Sequence, residues 1–570
     1  MLMTRFIRRA SVLLASCALA GTACLRAQGP ATEGRRGMVS SASDLASGIG
    51  VDILQRGGNA VDAAVAVALA LAVTYPQAGN LGGGGFMLIR MADGTTTLID
   101  YRETAPAAAT RGMYLNPKGE YIPGSSLAGW RASGVPGTVA GLALALEKHG
   151  TLPWSIVVEP ARILASKGFD VSQALANSLR EEAGLLGKFP ASRSIFLRDG
   201  DPYEKGERII QEDLGETFAR LQFGGPREFY EGETADFIAA AMEKNGGLIT
   251  LEDLKNYKPA MRAALRGKYR DLEILTMPPP SSGGIALLQM LNMLEPFDLR
   301  AMGFHSSESL HLMTEVMRLA FRDRAEYLGD PDFVKVPVEG LVSKDYAARL
   351  MKDFDPRHAK SSVDLPPGNP PGHESSDTTH FSIVDTERNA VSNTYTLNGA
   401  YGSGVTVPET GILLNNEMDD FTSKPGVPNQ FGLIQGEANA IEPGKRPLSS
   451  MTPTIALRDG ELFLVAGSPG GPTIITTVLQ VILNIVDYGM PLQLAVEATR
   501  VHHQWMPDAL RVEPFALPAD VQRALEARGH ELDLRESHWG GAEAILVDRE
   551  SDLLLGASDP RNPDGAAFGY

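Results

Sequence analysis

Neither a helix nor a central strand can run through Lys360-Ser-Ser-Val-Asp-Leu-Pro-Pro-Gly-Asn-Pro-Pro-Gly-His373. Its prolines fix φ and lack a backbone donor, and its glycines and serines favour turns, so an exposed, mobile tail is expected over residues 360–377. β-rich sequence follows at once, first from Thr379 to Val384 and then, after a short polar break, from Asn389 to Leu397. A segment that cannot be ordered therefore ends where a strand opens with Asp377-Thr378-Thr379.

That order suits a chain that cuts itself between Asp377 and Thr378. A threonine released as a new N-terminus carries a hydroxyl nucleophile and an amine base on one residue. An α-amino group titrates near ~7.7 to 8.0, so roughly a tenth of it is neutral at pH 7, whereas a lysine near ~10.4 is almost wholly charged. A Thr-Thr pair by itself simply starts a strand, and the reading rests on what surrounds the pair.

Those surroundings are Asp377-Thr-Thr-His380, Tyr395-Thr-Leu-Asn398, Asn415-Asn-Glu-Met-Asp-Asp-Phe421, Lys445-Arg-Pro-Leu-Ser-Ser-Met451 and Gly467-Ser-Pro-Gly-Gly471. Upstream lie Leu81-Gly-Gly-Gly-Gly-Phe-Met87, Tyr101-Arg-Glu-Thr-Ala-Pro106 and Met277-Pro-Pro-Pro-Ser-Ser-Gly-Gly284, and downstream Val501-His-His-Gln-Trp505 and Gly556-Ala-Ser-Asp-Pro-Arg561. In this order they resemble the γ-glutamyltranspeptidases (glutathione hydrolases), members of the N-terminal nucleophile hydrolase group. The resemblance covers almost all of the chain past the leader. It implies a precursor cut into a large chain, 28–377, and a small catalytic chain, 378–570, interleaved in one domain. It also implies γ-glutamyl transfer or hydrolysis through a threonine ester.

By the same resemblance Thr378 is the nucleophile, Thr396 steadies its hydroxyl, and Gly470 and Gly471 supply oxyanion donors. A γ-glutamyl group presents an α-carboxylate and an α-ammonium far from the scissile carbonyl, so both charges need partners. Arg102 matches the family's carboxylate-binding arginine, whose guanidinium can grip two oxygens at once, and Ser449 and Ser450 add hydroxyls. Asn398, Glu417 and Asp420 match the groups that take the ammonium. The two acids sit so close in sequence that they need a cation between them. Two features depart from part of the family. Glu417 stands where some bacterial relatives carry glutamine, and Phe431 stands in the lid loop (424–440) where a tyrosine is frequent, so a phenolic gating hydrogen bond is absent.

Two other readings stay open at this stage. One is a cephalosporin (glutaryl) acylase on the same scaffold, against which Asp420 argues, since a glutaryl group has no ammonium to place there. The other is an uncut, non-catalytic exported binding protein. No cofactor or metal is expected. Gly82–Gly85 lacks the Lys-Ser/Thr of a phosphate loop and reads as close backbone packing, and the adjacent His502 and His503 point apart in a strand.

Residues 1–27 begin with arginines and continue into a short apolar run, which reads as an export signal and places the protein in the periplasm or outside the cell. Leu14-Ala-Ser-Cys17 also resembles a lipoprotein cleavage box, ranked second. Both cysteines, Cys17 and Cys24, fall within this leader, so the mature chain has no thiol to act as nucleophile or metal ligand. Removing the leader takes four arginines and no acid, moving the net charge from −17 to −21. So acidic a surface disfavours nucleic acid and anionic membrane and favours a soluble protein; the partners, small γ-glutamyl donors and amine acceptors, are what the family resemblance implies.

Periodicity supplies the architecture. Ala60–Val73 is apolar nearly all round and too short to span a membrane, which predicts a buried helix. Asp93-Gly94 and Asp459-Gly460 sit between β-rich runs as hairpin turns. Further hairpins are expected at Phe381–Leu397 and Ala544–Leu555, a single strand at Leu265–Met277, and helices over much of 137–242, at Ser306–Leu328 and at Thr473–Asp487. Antiparallel pairs interleaved with buried helices predict an α+β fold, a four-layer αββα sandwich of two antiparallel sheets. The family resemblance implies the same.

Overall fold

The computed structural model describes residues 29–364 and 378–570. The expected export signal, Asp377 and the part of the expected tail from residue 365 on lie outside them. Two seven-stranded antiparallel sheets organise the body formed by residues 31–570. One runs Ala566–Gly569, Met38–Ser41, Thr379–Val384, Ala390–Thr396, Gly84–Arg90, Thr96–Asp100 and Ala260–Arg262 in spatial order. The other runs Thr32–Gly34, Leu553–Ser558, Glu543–Asp548, Glu461–Gly467, Thr454–Arg458, Leu272–Thr276 and Leu265–Tyr269.

The period of two along each strand shows why the sheets lie face to face. Phe86 and Leu88 of Gly84–Arg90 pack with Val465, Ile455 and Ile545 of the other sheet. Their neighbours Met87 and Ile89 turn to the opposite face and pack with the helix Ala60–Thr74. On the second sheet Ala456, Leu464 and Ala466 turn outward onto the helices Gly283–Leu294 and Thr473–Val486. Strands covered on both faces read as continuous apolar runs, and every residue of Gly84–Arg90 is buried. The expected four layers are present.

Ala60–Thr74 is buried at all 15 of its residues. Asn59 caps it by accepting from the amides of Val61 and Asp62, and Asp62 returns a bond from the Asn59 amide. The glycine run lets backbones touch: a Cβ on Gly83 would lie 2.0 Å from the Thr396 carbonyl, and one on Gly85 2.4 Å from that of Thr394. Close packing of this strand against Ala390–Thr396 follows.

One expectation is corrected. Leu265–Met277 is a hairpin, Leu265–Tyr269 paired with Leu272–Thr276. Its turn residue Arg270 has φ 55° without being glycine. The guanidinium is held by the Phe297 carbonyl at 2.7 Å and by Asp487 at 2.9 Å, so tertiary contacts stabilise a turn that Arg-Asp does not signal locally.

Candidate active site

Thr379 opens its strand and pairs with Tyr395. One further step of that register sets Thr378 across from Thr396, the last residue of the neighbouring strand. Both threonines are buried, Thr378 at 5% exposure. The Thr396 hydroxyl accepts from the Asn398 amide at 2.8 Å. Asn398 leaves the strand at φ 81°, a left-handed conformation that asparagine tolerates, and its Nδ2 donates to the Asn416 carbonyl at 3.1 Å.

From the facing sheet, Glu461–Gly467 runs through Ser468-Pro469 into Gly470 and Gly471, immediately before the helix Thr473–Val486. Their φ values of 130° and 52° suit glycine. Neither amide N–H has a hydrogen-bond acceptor among the described residues. Two such donors at the positive end of a 14-residue helix favour negative charge placed near them.

Arg102 follows the strand Thr96–Asp100 and is fully buried. Its two terminal nitrogens reach Glu417 Oε1 and Asp420 Oδ2, its Nε donates to the Pro447 carbonyl at 3.3 Å, and Glu103 lies 3.6 Å away. The cation that the two acids require is therefore the arginine itself. Burial works to lower the guanidinium pKa, but Glu417, Asp420 and Glu103 outweigh it and raise it. The same burial raises the carboxyls of Glu417 and Asp420 despite the arginine, and pushes Glu103 up to about 7. Both oxygens of Glu103, and Glu417 Oε2, lack a donor among the described residues. Burial thus favours the protonated form of these carboxyls, against the pull of the arginine.

Ser449 and Ser450 complete the ring. Ser449 Oγ accepts from the Met451 amide at 3.1 Å, and Ser450 Oγ accepts from Arg324 Nη2 at 3.3 Å. Above them Phe431 and Leu433 form a roof. Asn429 Nδ2 ties the roof to Asp420 Oδ1 at 3.0 Å, and the Gln430 amide ties it to Asp419 at 2.8 Å. The Phe431 ring lies directly over Gly471.

Thr378, Thr396, Asn398, Arg102, Glu417, Asp420, Ser449, Ser450 and Gly471 line one cavity of about 20 Å³, room for roughly one water. Gly470 adjoins it without lining it. Sequence reasoning passed over Glu103, Asn429 and Arg324. Glu103 was visible as an acid beside Arg102; the other two carry no local signal.

His502 bonds Thr476 and Gln504, and His503 bonds Asp508, which fits structural histidines. Among the described residues, His311, Glu315 and His530 have the spacing of a metal site. Glu315 is, however, already engaged by Arg318 and by the Lys360 amide, and His311 bonds His530 at 2.7 Å.

A threonine heading an inner strand of two facing antiparallel sheets, with helices outside each, defines the N-terminal nucleophile hydrolase class. Solved structures agree: a cephalosporin acylase from Bacillus halodurans superposes with a TM-score of 0.85 at 27% identity, covering 95% of this chain and 97% of its own. A γ-glutamyltranspeptidase from Helicobacter pylori gives a TM-score of 0.57 at 42% identity, over 61% of this chain and 98% of its own. In sequence, the glutathione hydrolase proenzyme of Escherichia coli (strain K12) is 51% identical over 94% of this chain and 92% of its own length. The family model described as Gamma-glutamyltranspeptidase matches residues 46–569, and the chain belongs to that family.

Proposed function

We propose that this chain is an autoprocessing γ-glutamyltransferase and glutathione hydrolase. The observation that carries the reading is the single cavity in which Thr378 meets both a guanidinium and two carboxylates. An α-amino acid head group is a zwitterion, and Arg102 with Glu417 and Asp420 offers the opposite charge to each end.

In maturation, Thr378 Oγ attacks the Asp377 carbonyl, the acyl group shifts from nitrogen to oxygen, and water hydrolyses the ester. The products are a chain ending at the Asp377 carboxylate and one starting at the free amine of Thr378. In turnover that amine takes the hydroxyl proton while Oγ attacks the γ-carbonyl of glutathione or another γ-glutamyl amide. The amide N–H groups of Gly470 and Gly471 stabilise the oxyanion, each worth roughly 3 kcal/mol of barrier. The proton passes to the departing amine, and water or an amino-acid amine then resolves the ester and restores the hydroxyl. The leader, outside the described residues, supports an exported, periplasmic or secreted protein. No helix among the described residues is long and apolar enough to cross a membrane.

Thr378→Ala is expected to leave one uncut, inactive chain on a denaturing gel, where wild type gives two bands, the smaller beginning at Thr378 by N-terminal sequencing. Normal cutting of the variant would refute the nucleophile. The acylase likeness favours a second reading, glutaryl hydrolysis on the same scaffold. Rates on γ-glutamyl and glutaryl anilides separate the two, and the acidic pair predicts a strong preference for γ-glutamyl.

A further inference from the structure

Arg324 sits in the last turn of the helix Ser307–Tyr327 and is 2% exposed. Its Nε donates to Ser282 Oγ at 2.9 Å and its Nη2 to Ser450 Oγ at 3.3 Å. Ser282 Oγ in turn donates to the Ser449 carbonyl at 2.7 Å, so one guanidinium braces both serines of the cavity. Nη1 has no hydrogen-bond partner, and no carboxylate lies within 4.0 Å of the group among the described residues.

These contacts decide which way the serine hydroxyls can act. Ser450 Oγ already accepts from Arg324, and Ser449 Oγ already accepts from the Met451 amide. Each hydroxyl keeps its proton, and neither donates to a protein acceptor among the described residues. Two O–H donors lining the cavity suit an anion.

The charge balance points the same way. Arg102 is paired with two acids, whereas Arg324 is buried without a carboxylate partner, which is costly unless something negative comes near. Burial pushes its pKa down to about 10, with Asp420 acting in the opposite direction, so it is charged at neutral pH.

Building on the γ-glutamyl reading, we infer that Arg324 is the second cation of the subsite for the substrate's α-carboxylate. It acts as a positioning residue, holding the Ser450 proton toward that carboxylate and placing positive charge behind it. A structural anchor at a helix end would affect every substrate alike. A carboxylate-positioning residue affects only donors that carry the carboxylate.

The test uses the mature wild-type enzyme and Arg324→Gln with two donors, a γ-glutamyl anilide and its α-carboxamide analogue, which keeps the ammonium. For the anilide, Arg324→Gln is expected to raise KM about 10-fold or more, the scale of a hydrogen bond to a charged group, with kcat within about threefold. KM for the carboxamide is expected to stay within about threefold, so discrimination between the donors collapses. In a Ser450→Ala background the same substitution is expected to add little, because the two residues act as a unit. Equal losses on both donors, or an unchanged KM for the anilide, would overturn the inference. Should Arg324→Gln fail to mature, Arg324→Lys carries the same comparison: a smaller rise confined to the anilide supports the role, and a rise shared by both donors refutes it. A wild type idle on both donors would overturn the γ-glutamyl reading and this inference with it.

Discussion

Around Arg102 three carboxyls and one guanidinium share a site from which water is almost excluded, and the arginine holds the acids together. Arg102→Met should cost about 3 to 5 kcal/mol of stability, because it leaves buried acids without a counter-charge; urea unfolding of the mature protein measures this, and a loss below about 1 kcal/mol would contradict it. Glu103 makes a distinct contribution. Its folded pKa of about 7 lies above the ordinary 4.5, so between those values the native state holds more proton than the unfolded chain. Stability from this group is therefore complete below about pH 4.5 and lost as pH rises through about 7. Glu103→Gln, which cannot titrate, should flatten the pH dependence of unfolding across that window, and an unchanged slope would remove the assignment. The sequence showed Arg102, Glu417 and Asp420 as charges needing partners. That they satisfy one another lay beyond it, because their separations of 315 and 318 residues are closed only by the fold.

The helix Thr473–Val486 and the loop carrying Phe431 meet at Gly471. A Cβ there would stand 2.8 Å from the Phe431 ring, on a residue whose φ is already 52°. Gly471→Ala is accordingly expected to displace the roof and disturb the proposed oxyanion donor, lowering kcat by about 10²-fold or more. Adding Phe431→Ala should recover part of the loss, and steady-state kinetics of the double variant against both singles checks this. Hairpins at Asp93-Gly94 and Asp459-Gly460 were readable because Asp-Gly turns have local chemistry. The hairpin around Arg270 was not, since a distant aspartate and a carbonyl hold it. Nor was the latch formed by Asn429 on Asp420, which depends on where a loop lies and not on any periodicity.

At the scale of the molecule, strands from before and after residue 378 alternate in one sheet: Met38–Ser41 and Gly84–Arg90 flank the hairpin Thr379–Thr396. Two chains produced by a cut at 378 should therefore co-elute in gel filtration under native conditions and part only in denaturant; separation in buffer would refute the interleaving. The helix Ala60–Thr74 beneath that hairpin has no exposed face, and Leu69→Ala should cost about 2 to 5 kcal/mol, read from the denaturation midpoint. By itself the sequence determined the residues of local chemistry and local period: a threonine after a run that cannot fold, the hairpins, the all-round apolar helix, and charges suited to a zwitterion. Only the tertiary structure decided that Arg102 and the two acids partner one another, that Arg324 stands behind Ser450, and that Phe431 closes the cavity. Those contacts join segments hundreds of residues apart, and no spacing along the chain encodes a distance that the packing of two sheets creates.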